Sequence, residues 1–446
     1  MDINKINKVY LAGIGGMGLS ALAYYFLKFN KKVIGSDLIE SKITKKLEEQ
    51  SVKINFNQKS INITEDIDLF IYTSALPKDH PELLQAKKLK IKILNYFEFL
   101  GFLSKKYKTI AIAGTNGKTT TTTILGLILE KAGLDPTVIV GTLVPEWGSN
   151  FRFGKSDILV LETCEWQAHM LEIDPVIIIL TNIAEDHLDY YKDLADIKEH
   201  FQKFINKLPN KGLLVKNKDD LNSNDINYHG QILTFGKKGD YTFSNLEVQE
   251  GKQVFNINNH KVTLNIPGEY NVYNSLAAFS LAQELGVSEE IIINSLKKFK
   301  GTWRRFEILG NYNNNIVISD YAHHPEAIRG LLQATKDFYP EQEIIAIFQP
   351  HHHHRTKTLL NDFAASFSLA DQVIISEIYR VGGREEKEEK ISSIDLVNIM
   401  NHKYVKYAKD FKVVKDIIKE INPINSVLLF IGAGDIDNLA REIIKK

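Results

Sequence analysis

The apolar run Thr109-Ile110-Ala111-Ile112-Ala113 passes straight into Gly114-Thr115-Asn116-Gly117-Lys118-Thr119-Thr120 and then into a helix-like stretch, Thr121 to Ala132. Strand, glycine turn, lysine, hydroxyl and helix in that order leave few folds open to a chain. They predict an α/β layer that binds a nucleoside triphosphate. Backbone N–H groups and the positive helix end cradle the phosphates, Lys118 reaches the β/γ-phosphates, and a hydroxyl ligates Mg²⁺. The strict pattern of such loops has glycine at position 112, where this chain has Ile112. Gly114 and Gly117 are therefore expected to do the turning, and the chain is expected to hydrolyse ATP.

With 446 residues, the chain exceeds what one core can serve. It divides into three blocks. Up to about residue 105, apolar runs (Lys8–Ile14, Lys32–Asp37, Asp68–Ser74) alternate with helical stretches such as Gly18–Phe29, the rhythm of a parallel α/β sheet. The second block, 106–300, carries the phosphate loop and the buried runs Asp157–Glu162 and Val176–Asn182. Between about 230 and 267 it changes to short alternating segments (Tyr241–Val248, Gln253–Ile257, His260–Ile266), which predicts an antiparallel meander added to the central sheet. The third block, 301–446, alternates again through Asn315–Asp320, Glu343–Gln349, Gln372–Glu377 and Ser426–Gly432. The charge run Arg384–Lys390 reads as a solvated loop or helix start.

Charge is balanced, 55 basic against 55 acidic residues, so no global field points to nucleic acid or a membrane surface. No apolar run reaches the roughly 18 residues of a membrane span. Cys164 is the single cysteine, which excludes an intrachain disulfide and any CxxC metal site. Without a basic-then-apolar leader pattern at Met1–Gly13, the expectation is a cytoplasmic enzyme.

Four constellations carry chemistry. Gly13-Ile14-Gly15-Gly16-Met17-Gly18-Leu19-Ser20 follows a strand and opens a helix, and Asp37 ends the next strand about 20 residues on, as a ribose-binding acid would. NAD fits that pattern. So does any nucleoside diphosphate; the phosphate loop further on removes much of the reason to choose NAD, and the pattern of the whole chain favours a UDP-linked ligand on Gly15, Gly16, Met17, Gly18, Ser20, Asp37 and Ser74. Glu162 ends a buried strand of the sheet bearing the phosphate loop, where Mg²⁺ is held; Glu165 is the second choice. The run Thr181-Asn182-Ile183-Ala184-Glu185-Asp186-His187-Leu188-Asp189 gathers a hydroxyl, an amide, an imidazole and three acids at one sheet edge. In the third block, Asp320-Tyr321-Ala322-His323-His324 and Gln349-Pro350-His351-His352-His353-His354-Arg355 each leave a strand. Adjacent histidines lack the i,i+4 spacing of metal ligands, and beside Arg355 they suit carboxylate recognition better.

Together these motifs resemble the Mur ligase family over essentially the whole chain, and within it the branch that joins L-alanine to UDP-N-acetylmuramate for peptidoglycan synthesis. GIGGMGLS, AGTNGKTTTT, TNIAEDHLDYY, the pair Arg304-Arg305, DYAHHP and the closing Gly432-Ala433-Gly434-Asp435-Ile436 stand in family order. The resemblance implies a three-domain α/β fold: a Rossmann-like domain (1–105) for UDP-N-acetylmuramate, a central P-loop-type ATPase domain (106–300) and a Rossmann-like C-terminal domain (301–446) for the amino acid. It implies ATP and Mg²⁺, no nucleic-acid or membrane partner, and a monomer or homodimer. By the same resemblance Lys118 grips the γ-phosphate, Thr119 and Glu162 hold Mg²⁺, and His187 holds a further Mg²⁺. Asn271 and Asn274 lie on the adenine side, Arg305, Asp320 and His324 serve ATP, and Tyr321, His351 and Arg355 form the amino-acid pocket. The chain departs from the family pattern at His352, which stands for an arginine, at Thr163-Cys164-Glu165-Trp166, and at Tyr270, which stands for histidine. A ligase that recycles a tripeptide, a nicotinamide oxidoreductase built on the first glycine run, and a nucleotide-binding switch are the alternatives; the last two leave residues 109–120 or 320–355 without a role.

Overall fold

The computed structural model describes residues 1–188, 190–249, 251–379 and 391–445; the Arg384–Lys390 run and Asp189 lie outside them. The chain forms two compact units, Met1–Thr242 with Tyr273–Ser295, and Phe243–Val272 with Leu296–Lys446.

The first unit holds two sheets. β1 (Lys8–Ala12), β2 (Lys32–Ser36), β3 (Lys53–Asn55), β4 (Leu69–Tyr72) and β5 (Lys92–Asn95) form a parallel sheet in the order β3-β2-β1-β4-β5. The order reverses at β1, so the loop leaving it opens into the crevice where such sheets bind ligands. The second sheet contains β6 (Lys108–Ala113), β7 (Thr137–Val144), β8 (Ser149–Arg152), β9 (Ile158–Glu162), β10 (Ile177–Leu180), β11 (Leu213–Asn217) and β12 (Gln231–Phe235), in the order β12-β11-β10-β6-β9-β7-β8. Only the edge strand β8 runs antiparallel to its neighbour. The central strands are apolar throughout because both faces are covered. One apolar core joins the two sheets: the helix Met17–Lys28 packs Tyr25 against Phe151 of β8 at 6.2 Å, edge to face.

In the second unit, β13 (Phe243–Gln249), β14 (Lys252–Ile257) and β15 (His260–Leu264) form the expected meander, with one correction. It is a three-stranded sheet of its own, not an extension of the central sheet, whose edge is β12. The remaining sheet contains β16 (Glu307–Tyr312), β17 (Asn315–Asp320), β18 (Glu343–Phe348), β19 (Gln372–Ser376), β20 (Val405–Ala408) and β21 (Ser426–Ile431), in the order β16-β17-β21-β18-β19-β20. Apolar clusters cover both its faces. Among the described residues, no helix is long and apolar enough to cross a membrane.

Candidate active site

Three strand ends adjoin at the phosphate loop, because β6 pairs with β9 on one side and β10 on the other. Gly114 (φ +133°) and Gly117 (φ +83°) do the turning. A Cβ on Gly114 would stand 2.1 Å from Thr181 Oγ1, and one on Gly117 2.2 Å from Asn274 Oδ1. Ile112 is a buried strand residue between Glu162 and Ile179, so the turn starts after the position where the strict pattern has glycine. The helix begins at Lys118, earlier than the expected Thr121, since Gly117 is its N-cap. The exit of β10 braces the loop. Thr181 Oγ1 donates to the Asn116 carbonyl (2.6 Å), and the Asn182 amide both accepts from Asn116 N–H (3.0 Å) and donates to its carbonyl (2.9 Å). The Thr115 hydroxyl accepts from Ala184 N–H at 2.9 Å.

Lys118 Nζ donates to the Gly114 and Thr115 carbonyls (2.7 and 2.9 Å) and to Glu165 Oε1 (2.8 Å). Burial by itself would lower its pKa; Glu165, aided by Glu162, outweighs burial and the net shift is upward, so the ammonium stays charged. Thr119 Oγ1 donates to Glu162 Oε1 at 2.6 Å, and Gly141 N–H fixes the other carboxylate oxygen, also at 2.6 Å. A hydroxyl and an oriented carboxylate converging at the phosphate loop are the hard oxygen donors that fit Mg²⁺. His187, with φ +55°, falls in with a different group. Its Nε2 is 3.8 Å from Glu165 Oε1 and 3.8 Å from Asp186 Oδ2, and one atom from each of the three lies within 4.8 Å of the others. Glu165, the second choice from sequence, thus pairs with Lys118 and shares a possible cation site with His187. Cys164 beside them is held protonated, its thiol pushed up to about 12 by burial and then by Glu165.

At the first sheet, two expected ligand side chains are engaged by the loop itself. Asp37 accepts from Gly15 N–H and from Leu38 N–H, both at 2.8 Å, so it fastens the glycine run to the end of β2. Ser20 is fully buried; its hydroxyl donates to Met17 O (3.1 Å) and accepts from Asn150 Nδ2 (3.1 Å), which also donates to Met17 O. Gly16 is the N-cap of the helix Met17–Lys28, and Ser74 stands exposed in the turn after β4. Sequence reading missed Asn150 and Tyr96. A Cβ on Gly18 would meet the Tyr96 ring at 2.8–3.0 Å, and burial, then the charge of Glu162, raises that phenol's pKa. Tyr96 therefore stands against the glycine run at Gly18.

Asn271 and Asn274 occupy one face of the helix Glu269–Glu284. Asn274 is buried and accepts from Thr121 Oγ1 at 3.4 Å beneath Gly117, while Asn271 donates to the Pro267 carbonyl at 2.7 Å.

In the second unit, Asp320 ends β17 with its carboxylate accepting from Phe306 and Ala322 N–H, each at 2.7 Å. Burial raises its pKa, with Arg305 opposing. Arg305 sits over the Tyr321 ring at 5.0 Å. Tyr321 meets His323 edge-on at 5.3 Å, and His323 meets His351 at 6.1 Å. His351 also stacks on Tyr379 (5.5 Å, 14°), another residue that sequence reading missed. His324 caps the helix Pro325–Phe338, and Arg355 lies on the helix His353–Thr358, entered through His352 at φ +72°. Tyr321 and His351 are thus brought into one aromatic array, with Arg305 on its rim.

The family models described as Mur ligase family, catalytic domain (residues 8–108), Mur ligase middle domain (112–282) and Mur ligase, glutamate ligase domain (304–434) match in succession. The UDP-N-acetylmuramate–L-alanine ligase of Caldicellulosiruptor bescii is 40% identical over 99% of this chain and 99% of its own. That of Clostridium kluyveri is 42% identical over 98% and 97%. Among solved structures, the UDP-N-acetylmuramate–alanine ligase of Thermotoga maritima superposes with a TM-score of 0.84 at 29% identity, covering 98% of both chains. A murein peptide ligase from Psychrobacter arcticus shares the fold, with a TM-score of 0.74 at 22% identity and 98% of both chains covered. A phosphate loop that turns at Gly114 and Gly117, a strand-end glutamate opposite its threonine, and full-length similarity of this degree have one common explanation: the chain belongs to the Mur ligase family.

Proposed function

We propose that the chain joins L-alanine to the lactyl carboxylate of UDP-N-acetylmuramate with cleavage of ATP to ADP, in cytoplasmic peptidoglycan precursor synthesis. The observation that carries this reading is the convergence of Lys118, Thr119 and Glu162 at adjoining ends of β6 and β9, in a chain 40–42% identical over nearly its full length to relatives named for that reaction. The peptide-ligase likeness is confined to the fold at 22% identity. A nicotinamide oxidoreductase would leave the phosphate loop and its brace without a use.

The proposed domains are 1–105 for the UDP-sugar, 106–300 for ATP and 301–446 for the amino acid. The lactyl carboxylate attacks the γ-phosphorus, giving an acyl phosphate and ADP. The amine of alanine then adds to the acyl carbon, and the tetrahedral intermediate expels phosphate to leave the amide. Lys118, already charged at the mouth of the loop, exchanges Glu165 for the γ-phosphate, an electrostatic and positioning task. Thr119 and Glu162 would hold Mg²⁺, with Glu165, Asp186 and His187 fitting a second ion; the metal supplies charge neutralisation at the transferring phosphoryl group. Met17 and Gly18, the first residues of the helix, present N–H groups and the helix end to the diphosphate, with Gly15 and Gly16 forming the turn before them and Asp37, Ser20 and Asn150 keeping that loop in shape. Asn271, Asn274, Arg305, Asp320 and His324 serve ATP, and Tyr321, His351 and Arg355 the amino acid.

Phosphate release measured with UDP-N-acetylmuramate, ATP and a panel of amino acids tests this. L-Alanine should give the highest kcat/KM, and Lys118→Ala should lower turnover by about a hundredfold or more with the fold intact. No phosphate release with alanine, alongside release with a tripeptide, would replace the reading by the recycling one.

A further inference from the structure

Arg304 and the turn Gly432–Asp435 have no role in the assignments above, yet they sit between two loops that do. β21 lies between β17 and β18, so its exit, Gly432-Ala433-Gly434-Asp435, runs between the loop bearing Tyr321 and the loop bearing His351. Arg304 crosses that gap. Its backbone is left-handed (φ +57°), as is that of Phe306 (φ +47°), which lays the segment across the end of β17: the Arg304 carbonyl accepts from Tyr321 N–H at 2.8 Å. The guanidinium, almost wholly buried, lies 4.9 Å from the centre of the Tyr321 ring and donates through one nitrogen to the carbonyls of Gly432 and Gly434, the latter at 2.9 Å.

The turn is held from its other side as well. Gln349, two residues before His351, donates to Asp435 Oδ1 (2.7 Å) and accepts from Ile436 N–H (3.1 Å). Gly434 packs under Tyr379, the residue stacked on His351; a Cβ there would stand 2.6 Å from Tyr379 Cγ and 2.3 Å from Gln349 Oε1. The φ of +146° at Gly432 reserves that position for glycine.

We propose that Arg304 is a positioning residue of the amino-acid site, locking the Gly432–Asp435 turn to Tyr321 so that the turn forms the wall between Tyr321 and His351. This rests on the amino-acid site proposed above. Two carbonyls and one aromatic face on a single planar cation fix the distance between two loops, and a lysine, whose nitrogen ends one bond short of the bonding Arg304 nitrogen and which has no planar face to lay on the ring, does not reproduce that geometry.

The test is steady-state kinetics of the full chain with each substrate varied in turn. Arg304→Lys should raise the KM for L-alanine by about tenfold while those for ATP and UDP-N-acetylmuramate stay within about twofold. Gly434→Ala keeps Arg304 but pushes on the Tyr379 ring, and should raise the alanine KM selectively too; it decides the matter if Arg304→Lys does not fold. Unchanged alanine KM in the folded variants, or a parallel rise in all three constants, overturns the proposal. Wild-type enzyme that releases phosphate with another amino acid and not with alanine would instead overturn the substrate reading on which it rests.

Discussion

Gly117→Ala tests whether the phosphate loop is buttressed by Asn274. The glycine holds φ +83°, and an alanine in that region is strained by about 1–2 kcal/mol. Its methyl would also stand 2.2 Å from Asn274 Oδ1 and 3.1 Å from Cγ. Asn274 is buried, and Thr121 holds its Oδ1 from the helix below, so making room costs a further 1–3 kcal/mol or so. Urea denaturation should therefore show Gly117→Ala destabilised by roughly 2–5 kcal/mol, and calorimetry should show weaker ATP binding because the N–H groups of the turn are re-aimed. Asn274→Ala removes the obstacle, and with it the hydrogen bond from Thr121, worth about 1 kcal/mol. The double variant should then be more stable than the sum of the single losses by about 1–3 kcal/mol. A Gly117→Ala variant within about 0.5 kcal/mol of wild type, or simple additivity in the double variant, would refute the buttress.

Three further perturbations address other parts of the molecule. Glu165→Gln removes the counter-charge of the buried Lys118 ammonium, leaving it an amide oxygen and two loop carbonyls, and should cost about 3 kcal/mol in urea denaturation, part of it recovered by saturating ATP; an unchanged midpoint would refute the pairing. Burial lowers the pKa of His169 from 6.5 to about 4. Between those values the unfolded chain binds a proton that the native fold refuses. Stability is therefore full above pH 6.5 and falls as pH drops towards 4, by up to about 2 kcal/mol at pH 5 before a discount for partial exposure. His169→Phe should flatten that part of the profile, measured as urea midpoints at pH 7 and pH 5; an equally steep fall would refute it. Arg355→Ala should nearly abolish use of alanine while leaving ATP binding intact, and His352→Arg should lower the alanine KM several-fold by adding a charge-assisted bond worth about 1–2 kcal/mol. Retained alanine affinity in Arg355→Ala would move the pocket elsewhere.

What could be read from the sequence was local backbone chemistry. Gly114, Gly117 and Lys118 are separated by fixed short intervals, and the phosphate loop needs left-handed glycines and a helix start in that order wherever it occurs. Short apolar runs gave β1, β6, β9, β10, β17, β18 and β21 to within about two residues. Short edge strands such as β3 (Lys53–Asn55) and β8 (Ser149–Arg152) carry too few apolar residues to show a period, and both were missed. The meander was recognised from its alternation, but alternation says nothing about which sheet a hairpin joins, and these strands pair only with one another.

The side chains that escaped detection share a different property: they act on backbone atoms far away in sequence. Asn150 reaches Met17 across 133 positions, and Arg304 reaches Gly432 across 128. An asparagine or arginine in such a place has no local signature, because its partner is a carbonyl or hydroxyl that any sequence could supply. The same limit explains Asp37 and Ser20. Their spacing from the glycine run is that of ligand-binding residues, yet the structure engages both with the loop itself, since an acid within reach of Gly15 N–H gains a charge-assisted bond whether or not a ribose is present. Spacing thus identifies the glycine turn and the acid that fastens it. Which side chains touch the ligand and which hold the loop rigid depends on tertiary neighbours, and at Asp37 the two roles are compatible: an acid already fixed by two N–H groups meets a ribose hydroxyl with little orientational freedom left to lose.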